Sequence, residues 1–355
     1  MTETDLLMLA AELVSIPSVS RHEDALSDRI ESELRARPWL EVERLGNNVV
    51  AKTSLGRSMR VILAGHLDTV PPAGNADATI EADTLWGVGS ADMKGGLAVL
   101  LDLASSLRQP TVDVTWCFYE REEVERAEDG LVRLWNERPD LVAGDVAILS
   151  EPTACRIEAG CQGTMRAVIH MRGVRAHTAR PYTGRNAIHR LVPVLQQVAA
   201  WPGRRVVLDG CEYVEQLQAV AVEGGVAPNV VPDDASMTVN YRFAPDRSLA
   251  DARHYLSELF DMVLDPELGD SWAVTDEALG APPALDHPVL SRLLALSGEA
   301  PQAKVGWTDV ATFWAHGVPA TNFGPGDPLL AHHPDERVDR RSLERAHSCL
   351  AALLS

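Results

Sequence analysis

Apolar positions in the first 150 residues follow two rhythms that take turns. Residues 5–14 and 22–37 carry apolar side chains at helical spacing, with Pro17 and Pro38 as breaks, and are predicted helices. Short apolar runs at 48–53, 60–65, 112–119 and 145–149 read as strands, with helical stretches at 95–107 and 130–137 among them. Strands alternating with helices predict an α/β domain with a mostly parallel central sheet. Ligands of such sheets bind beyond the carboxyl ends of the strands.

The pattern changes after Cys161-Gln162-Gly163. Residues 164–173 alternate as a strand, 185–200 read as a helix, 217–223 and 235–243 as strands, and 247–262 as a helix. This predicts a smaller α+β domain with an antiparallel sheet. The acidic stretch around 265–283, with Gly and Pro, reads as the return crossing. Residues 284–355 then resume α/β character, with a strand at 318–323 and a closing helix at 338–353. The expected organisation is a discontinuous domain of residues 1–163 and 275–355, interrupted by an inserted domain of residues 164–274.

Composition narrows the function. No apolar run reaches the roughly 18 residues that span a membrane. The first residues include Glu3, Asp5 and Glu12 and no basic segment, unlike a signal peptide, so a cytoplasmic location is expected. A net charge of −19 argues against nucleic acid or an anionic membrane as partner. The five cysteines are odd in number and never spaced C-x-x-C, which fits a reducing compartment and core positions rather than disulfides or a thiolate zinc site.

The candidate chemistry sits at strand ends. The run Arg60–Gly65 leads into His66-Leu67-Asp68, where residues i and i+2 share a face. His66 alone would read as a structural histidine. More groups of the same kind lie further along: Asp92 in the Gly-rich turn Gly87–Gly96, Glu122-Glu123 after strand 112–119, Glu151 after strand 145–149, and His332 in Ala331-His332-His333-Pro334-Asp335-Glu336. Two histidines and several carboxylates can hold two metal ions, and nitrogen and oxygen donors without thiolate suit zinc, cobalt or manganese. Such a pair polarises a carbonyl and acidifies a water, while one carboxylate must stay off the metal as general base. His333 competes with His332, and the spacing to Glu336 favours His332. Glu120, Glu125, Glu128 and Asp129 read as a solvated face.

The order G-H-x-D-T-V-P, S-A-D-M-K-G-G, E-E, E-P-T and G-P-G-D…A-H-x-x-x-E, spread over essentially the whole chain, resembles the dinuclear zinc metallopeptidases of the M20 family. The resemblance implies a zinc-dependent exopeptidase-like catalytic domain with an inserted dimerisation (lid) domain, and two Zn2+ per subunit, with Co2+ or Mn2+ able to substitute. Asp92 would bridge the ions. Glu123 and His332 would complete one site, and His66 and Glu151 the other. Glu122 would be the general base and Asp68 would orient His66. A non-proline cis peptide is implied at Asp92-Met93. His177, in Arg175-Ala176-His177-Thr178, would reach the partner subunit's site in a homodimer and stabilise the oxyanion, with Asn229 as a second partner-side contact. Arg242 would bind a substrate carboxylate, and Thr164, Arg180 and Thr308 would also touch substrate. The chain departs from the family pattern in having Arg121 before the Glu pair, and Cys161 and Arg180 where relatives carry arginine and tyrosine. One anion contact is therefore expected to have moved to Arg180. Within the family the implied reaction is hydrolysis of the N-succinyl amide of N-succinyl-L,L-diaminopimelate. The alternatives are deacetylation of acetylornithine, another N-acyl amino acid deacylation, or dipeptide hydrolysis.

Overall fold

In the computed structural model, which describes residues 4–355, the apolar run before His66 is the strand Arg60–His66. It lies between Asp113–Tyr119 and Val146–Leu149, parallel to both. Every residue of it beyond Arg60 is buried, as a parallel strand covered on both faces requires. The full sheet runs Glu41–Leu45, Asn48–Lys52, Asp113–Tyr119, Arg60–His66, Val146–Leu149, Ala320–Asn322, Glu158–Ala159, Gln302–Ala303. Ala320–Asn322 is also parallel to its neighbour Val146–Leu149. Four adjacent parallel strands therefore end at one edge of the sheet, and the loops leaving that edge carry the candidate chemistry. The antiparallel pair Glu41–Leu45 and Asn48–Lys52 closes the other side. No strand is predicted at 41–45 from sequence, because an edge strand rich in charge lacks an apolar run.

The helix Gly95–Ser106 packs with Leu6–Val14 and Arg340–Leu354. Its start needs glycine: a Cβ on Gly96 would lie 2.3 Å from the carbonyl oxygen of Ser150. The double glycine after Lys94 thus lets the helix begin hard against the sheet edge.

The chain separates into two compact units, one running up to Gly160 with residues 283–303 and 308–355, the other of residues 161–282 with 304–307. The second unit holds an antiparallel sheet in the order Gln216–Gly224, Asp234–Phe243, Gly163–Arg172, Ser271–Ala278. Met165, Ile169, Met237 and Tyr241 on one sheet face pack with Val194, Leu256 and Phe260 from the helices.

Two sequence expectations are corrected by the structure. The helix at 185–200 is two helices, Ala187–Arg190 and Val192–Ala199. Pro193 stands in the first turn of the second, where its missing N–H is tolerated, and it could not sit inside one continuous helix. The stretch read as a crossing contains the strand Ser271–Ala278, whose Trp272 and Val274 pack on the core while the exposed Ser271, Ala273 and Thr275 alternate with them. No helix among the described residues is long and apolar enough to cross a membrane.

Candidate metal centre and active site

His66 ends its strand 1% exposed. Its Nδ1 lies 3.0 Å from the backbone carbonyl of Asp68, which can only accept, so Nδ1 carries the proton. Nε2 is then turned on the Asp92 carboxylate, 3.1 Å away. Two acceptors facing each other at that distance need a cation or a second proton between them. Burial alone would lower the ring pKa, but hydrogen bonds to Asp68 and Asp92 carry it well above its ordinary value.

Asp92 occupies the irregular turn Ser90–Lys94, and the Asp92-Met93 peptide is cis. The turn is held by Glu336, a residue the sequence offered only as a spacing mark. Glu336 is buried, and one of its carboxylate oxygens accepts from the N–H groups of Ala91 and Asp92 at 3.0 and 2.9 Å. Burial pushes its carboxyl up to about 7. Lys94, also buried, donates to the carbonyl of Ile16 at 2.7 Å, and burial brings its ammonium down to about 8.

Asp68 has a larger set of partners than its place two residues after His66 suggested. Its carboxylate accepts from the N–H groups of Glu122 and Glu123 at 3.0 and 3.1 Å and from the Ser20 hydroxyl at 2.7 Å, and stands 3.5 Å from His66 Nδ1. Burial would raise its pKa, but hydrogen bonds from His66, Ser20 and Glu123 bring it below the ordinary value. One buried residue thus holds both the histidine, through its backbone carbonyl, and the Glu-Glu turn, through its carboxylate. Asp68→Ala is expected to reduce turnover about 10- to 100-fold, as loss of a supporting group does at metal sites. Steady-state kinetics with a parallel metal titration checks this.

Burial pushes the Glu122 carboxyl well above its ordinary range, with Glu123 and Glu151 adding to the effect and His66 opposing it. His332 Nε2 is 2.7 Å from Glu123 and 3.6 Å from Asp92. The hydrogen bond to Glu123 is the first cause raising its ring pKa, to about 9. The His332 backbone has a φ of 62°, an uncommon state for a residue with a Cβ. The supposed solvated face near the Glu pair is corrected in part. Asp129 is buried and caps the helix Gly130–Glu137 through the N–H groups of Leu131 and Val132, while Glu120 is buried beside Asn48.

Donor atoms of His66, Asp92 and Glu151 lie within 4.8 Å of one another, as do those of Asp92, Glu123 and His332. Asp92 belongs to both groups. The His66–Asp92 confrontation and the nitrogen and carboxylate donors fit two divalent cations of the zinc class. The five cysteines are buried, form no disulfide and belong to neither group. Thr308, in the same unit, is buried with its hydroxyl donating to Asn322 at 2.9 Å.

The other predicted residues lie in the second unit. Ala176–His177 pairs with Val230–Val231, and the Thr178 N–H donates to the Asn229 carbonyl at 3.0 Å, so His177 and Asn229 are brought together. His177 Nδ1 accepts from the Ala179 N–H at 3.0 Å, which leaves the ring proton on Nε2 of the neutral imidazole. Arg180 is exposed on the following turn, and Cys161 is fully buried. Thr164 and Arg242 are register partners on adjacent strands.

A mostly parallel sheet delivers two histidines and four carboxylates from strand ends and loops to one cluster able to hold metal, the arrangement a metal-dependent hydrolase needs. The sequence agrees: residues 62–355 match the model of peptidase family M20/M25/M40, and the chain belongs to that family. It is 52% identical over 335 residues to a putative succinyl-diaminopimelate desuccinylase of Mycobacterium tuberculosis, covering 94% of this chain and 93% of the relative. It is 44% identical over 357 residues to a succinyl-diaminopimelate desuccinylase of Corynebacterium glutamicum, covering 99% and 96%. Among solved structures, a tripeptidase from Staphylococcus aureus superposes with a TM-score of 0.79 at 20% identity, covering 99% of this chain and 97% of its own. An M20 family metallo-carboxypeptidase from Sulfolobus solfataricus superposes at 0.78 with 15% identity, covering 99% of each chain. The structural likenesses speak for the fold.

Proposed function

We propose that this hydrolase cleaves the N-succinyl amide of N-succinyl-L,L-diaminopimelate to succinate and L,L-diaminopimelate, a step of lysine and diaminopimelate synthesis, in the cytoplasm. The observation that carries the substrate is the 52% and 44% identity, over nearly the full length of both partners, to relatives named for that reaction.

His66 and Glu151 would hold one Zn2+, Glu123 and His332 the other, and Asp92 both, with Co2+ or Mn2+ able to replace zinc. When bound, the ions supply Lewis-acid polarisation of the amide carbonyl and acidify the attacking water. Glu122 takes a proton from that water as it adds to the carbonyl carbon, and returns it to the nitrogen as the C–N bond breaks. Asp68 keeps the Glu122 backbone fixed through this cycle. Arg242 pairs with a substrate carboxylate as a planar fork, and Thr164, Thr308, Asn229 and Arg180 line the substrate.

The working form is a homodimer in this reading. The strand Gln216–Gly224 is a sheet edge, with Val220 and Val222 57% and 54% exposed, and an open apolar edge pairs readily with a second copy of itself. The partner subunit's His177 would then donate a hydrogen bond from its Nε2–H to the oxyanion.

Steady-state rates on N-succinyl-L,L-diaminopimelate and N-acetyl-L-ornithine, with added zinc, test the substrate. A strong preference for the succinyl compound is expected, and a preference for acetylornithine would overturn the proposal.

A further inference from the structure

The four-stranded sheet of the second unit has two unlike faces. Met165, Ala167 and Ile169 of one strand and Val239 and Tyr241 of the next are buried in its core. Alternation therefore sends Thr164, Arg166, Asn240 and Arg242 to the opposite face. Arg166 stands opposite Asn240, and Arg242 opposite Thr164. The two arginines are thus diagonal neighbours, with backbones about 7 Å apart.

Like charges so placed repel, and the sheet does little to offset them. Arg166 has a carboxylate neighbour, Asp276, at 3.9 Å, beyond hydrogen-bond reach, and the two side chains are 51% and 53% exposed. Arg242 is half-buried and makes no ion pair among the described residues. Burial, and then the charge of Arg166, hold its pKa below the ordinary value. Guanidinium groups remain charged under such pressure, so the face presents two forks of donors with unspent capacity for anions.

We propose that Arg166 and Arg242 form a cradle for two carboxylates of one substrate, Arg242 taking the carboxylate beside the scissile amide and Arg166 the one at the far end of the diamino acid. This rests on the functional reading above and adds a specificity residue to it. The choice of carboxylate follows from the chemistry of the compound. The succinyl carboxylate lies across the scissile amide from the amine. The two carboxylates of diaminopimelate end one carbon chain, leave together, and span when extended a length comparable with the spacing of the arginines. A single-carboxylate leaving group would engage Arg242 and leave Arg166 idle.

The test compares N-succinyl-L,L-diaminopimelate with N2-succinyl-L-lysine, which lacks only the far carboxylate. Arg166→Gln is expected to lower kcat/KM on the first roughly 10- to 100-fold, mainly through KM, the loss typical of a charge-assisted hydrogen bond. The loss on the lysine compound should be much smaller, so the preference for the diacid collapses. Arg166→Lys should recover part of it, keeping the charge but not the fork. Equal losses on the two substrates, or no loss on either, overturn the role of Arg166 alone. Failure of the unsubstituted enzyme to cleave either compound overturns the functional reading, and this inference with it. Turnover of the lysine compound also reports that the variant is folded.

Discussion

Glu122→Gln should abolish turnover, with kcat falling by about 10³-fold or more, while the protein keeps its full complement of metal. General acid–base catalysis by one side chain is typically worth about 10²- to 10⁴-fold, and here the same carboxyl would serve at both water attack and amine departure. Glutamine has nearly the same shape but cannot accept a proton at neutral pH. The backbone N–H of residue 122 would still donate to Asp68, as it does at 3.0 Å, so the turn and its neighbour Glu123 stay in place. Single-turnover kinetics together with metal analysis reads both halves of the expectation. Glu123→Gln is the contrasting variant, because it weakens a donor shared with His332 and should lose metal. Normal turnover by Glu122→Gln would remove Glu122 from the role of base, and loss of metal would move it into the ligand set.

Mixing two inactive variants should restore activity. Glu122→Gln removes the base of a subunit's own site, and His177→Ala removes the group that subunit lends to its partner. In a mixed dimer, the site with an intact Glu122 faces an intact partner His177, so it is complete, and the other site lacks both. Random exchange of equal amounts makes half of the dimers mixed, each with a single working site, and predicts about a quarter of normal activity. Either variant alone should stay close to zero. The tautomer of His177 suits the role, since Nδ1 is engaged by the Ala179 N–H and the remaining proton is on Nε2. Absence of recovery after subunit exchange, with size measurement to verify the exchange, would show that His177 serves its own chain or none.

Much of this could be read from residues in order. The strands before His66 and Glu151 carry unbroken apolar runs, and the one before Glu122 is apolar from Val114 on except for Thr115; parallel strands buried on both faces leave that signature. The helix Gly95–Ser106 begins at its glycines as expected. The elements that escaped sequence reading lacked a periodic signal. The edge strands Glu41–Leu45 and Ser271–Ala278 mix charge with apolar residues because one side of each faces water. The helix expected through Pro193 divides because proline has no N–H to donate.

The site divides in the same way. Residue types and spacing along the chain determined which side chains could bind metal or move a proton, since that capacity is a property of each group and of its place after a strand. Only the tertiary structure decided what holds them. That Asp68 clasps the Glu122 and Glu123 backbone, that Glu336 grips the turn carrying Asp92, and that Arg166 is a diagonal neighbour of Arg242 depend on contacts between segments distant in sequence or on strand register. Hydrogen bonds and charge act over a few ångströms of space, and a linear pattern does not record which segments the fold brings within that range.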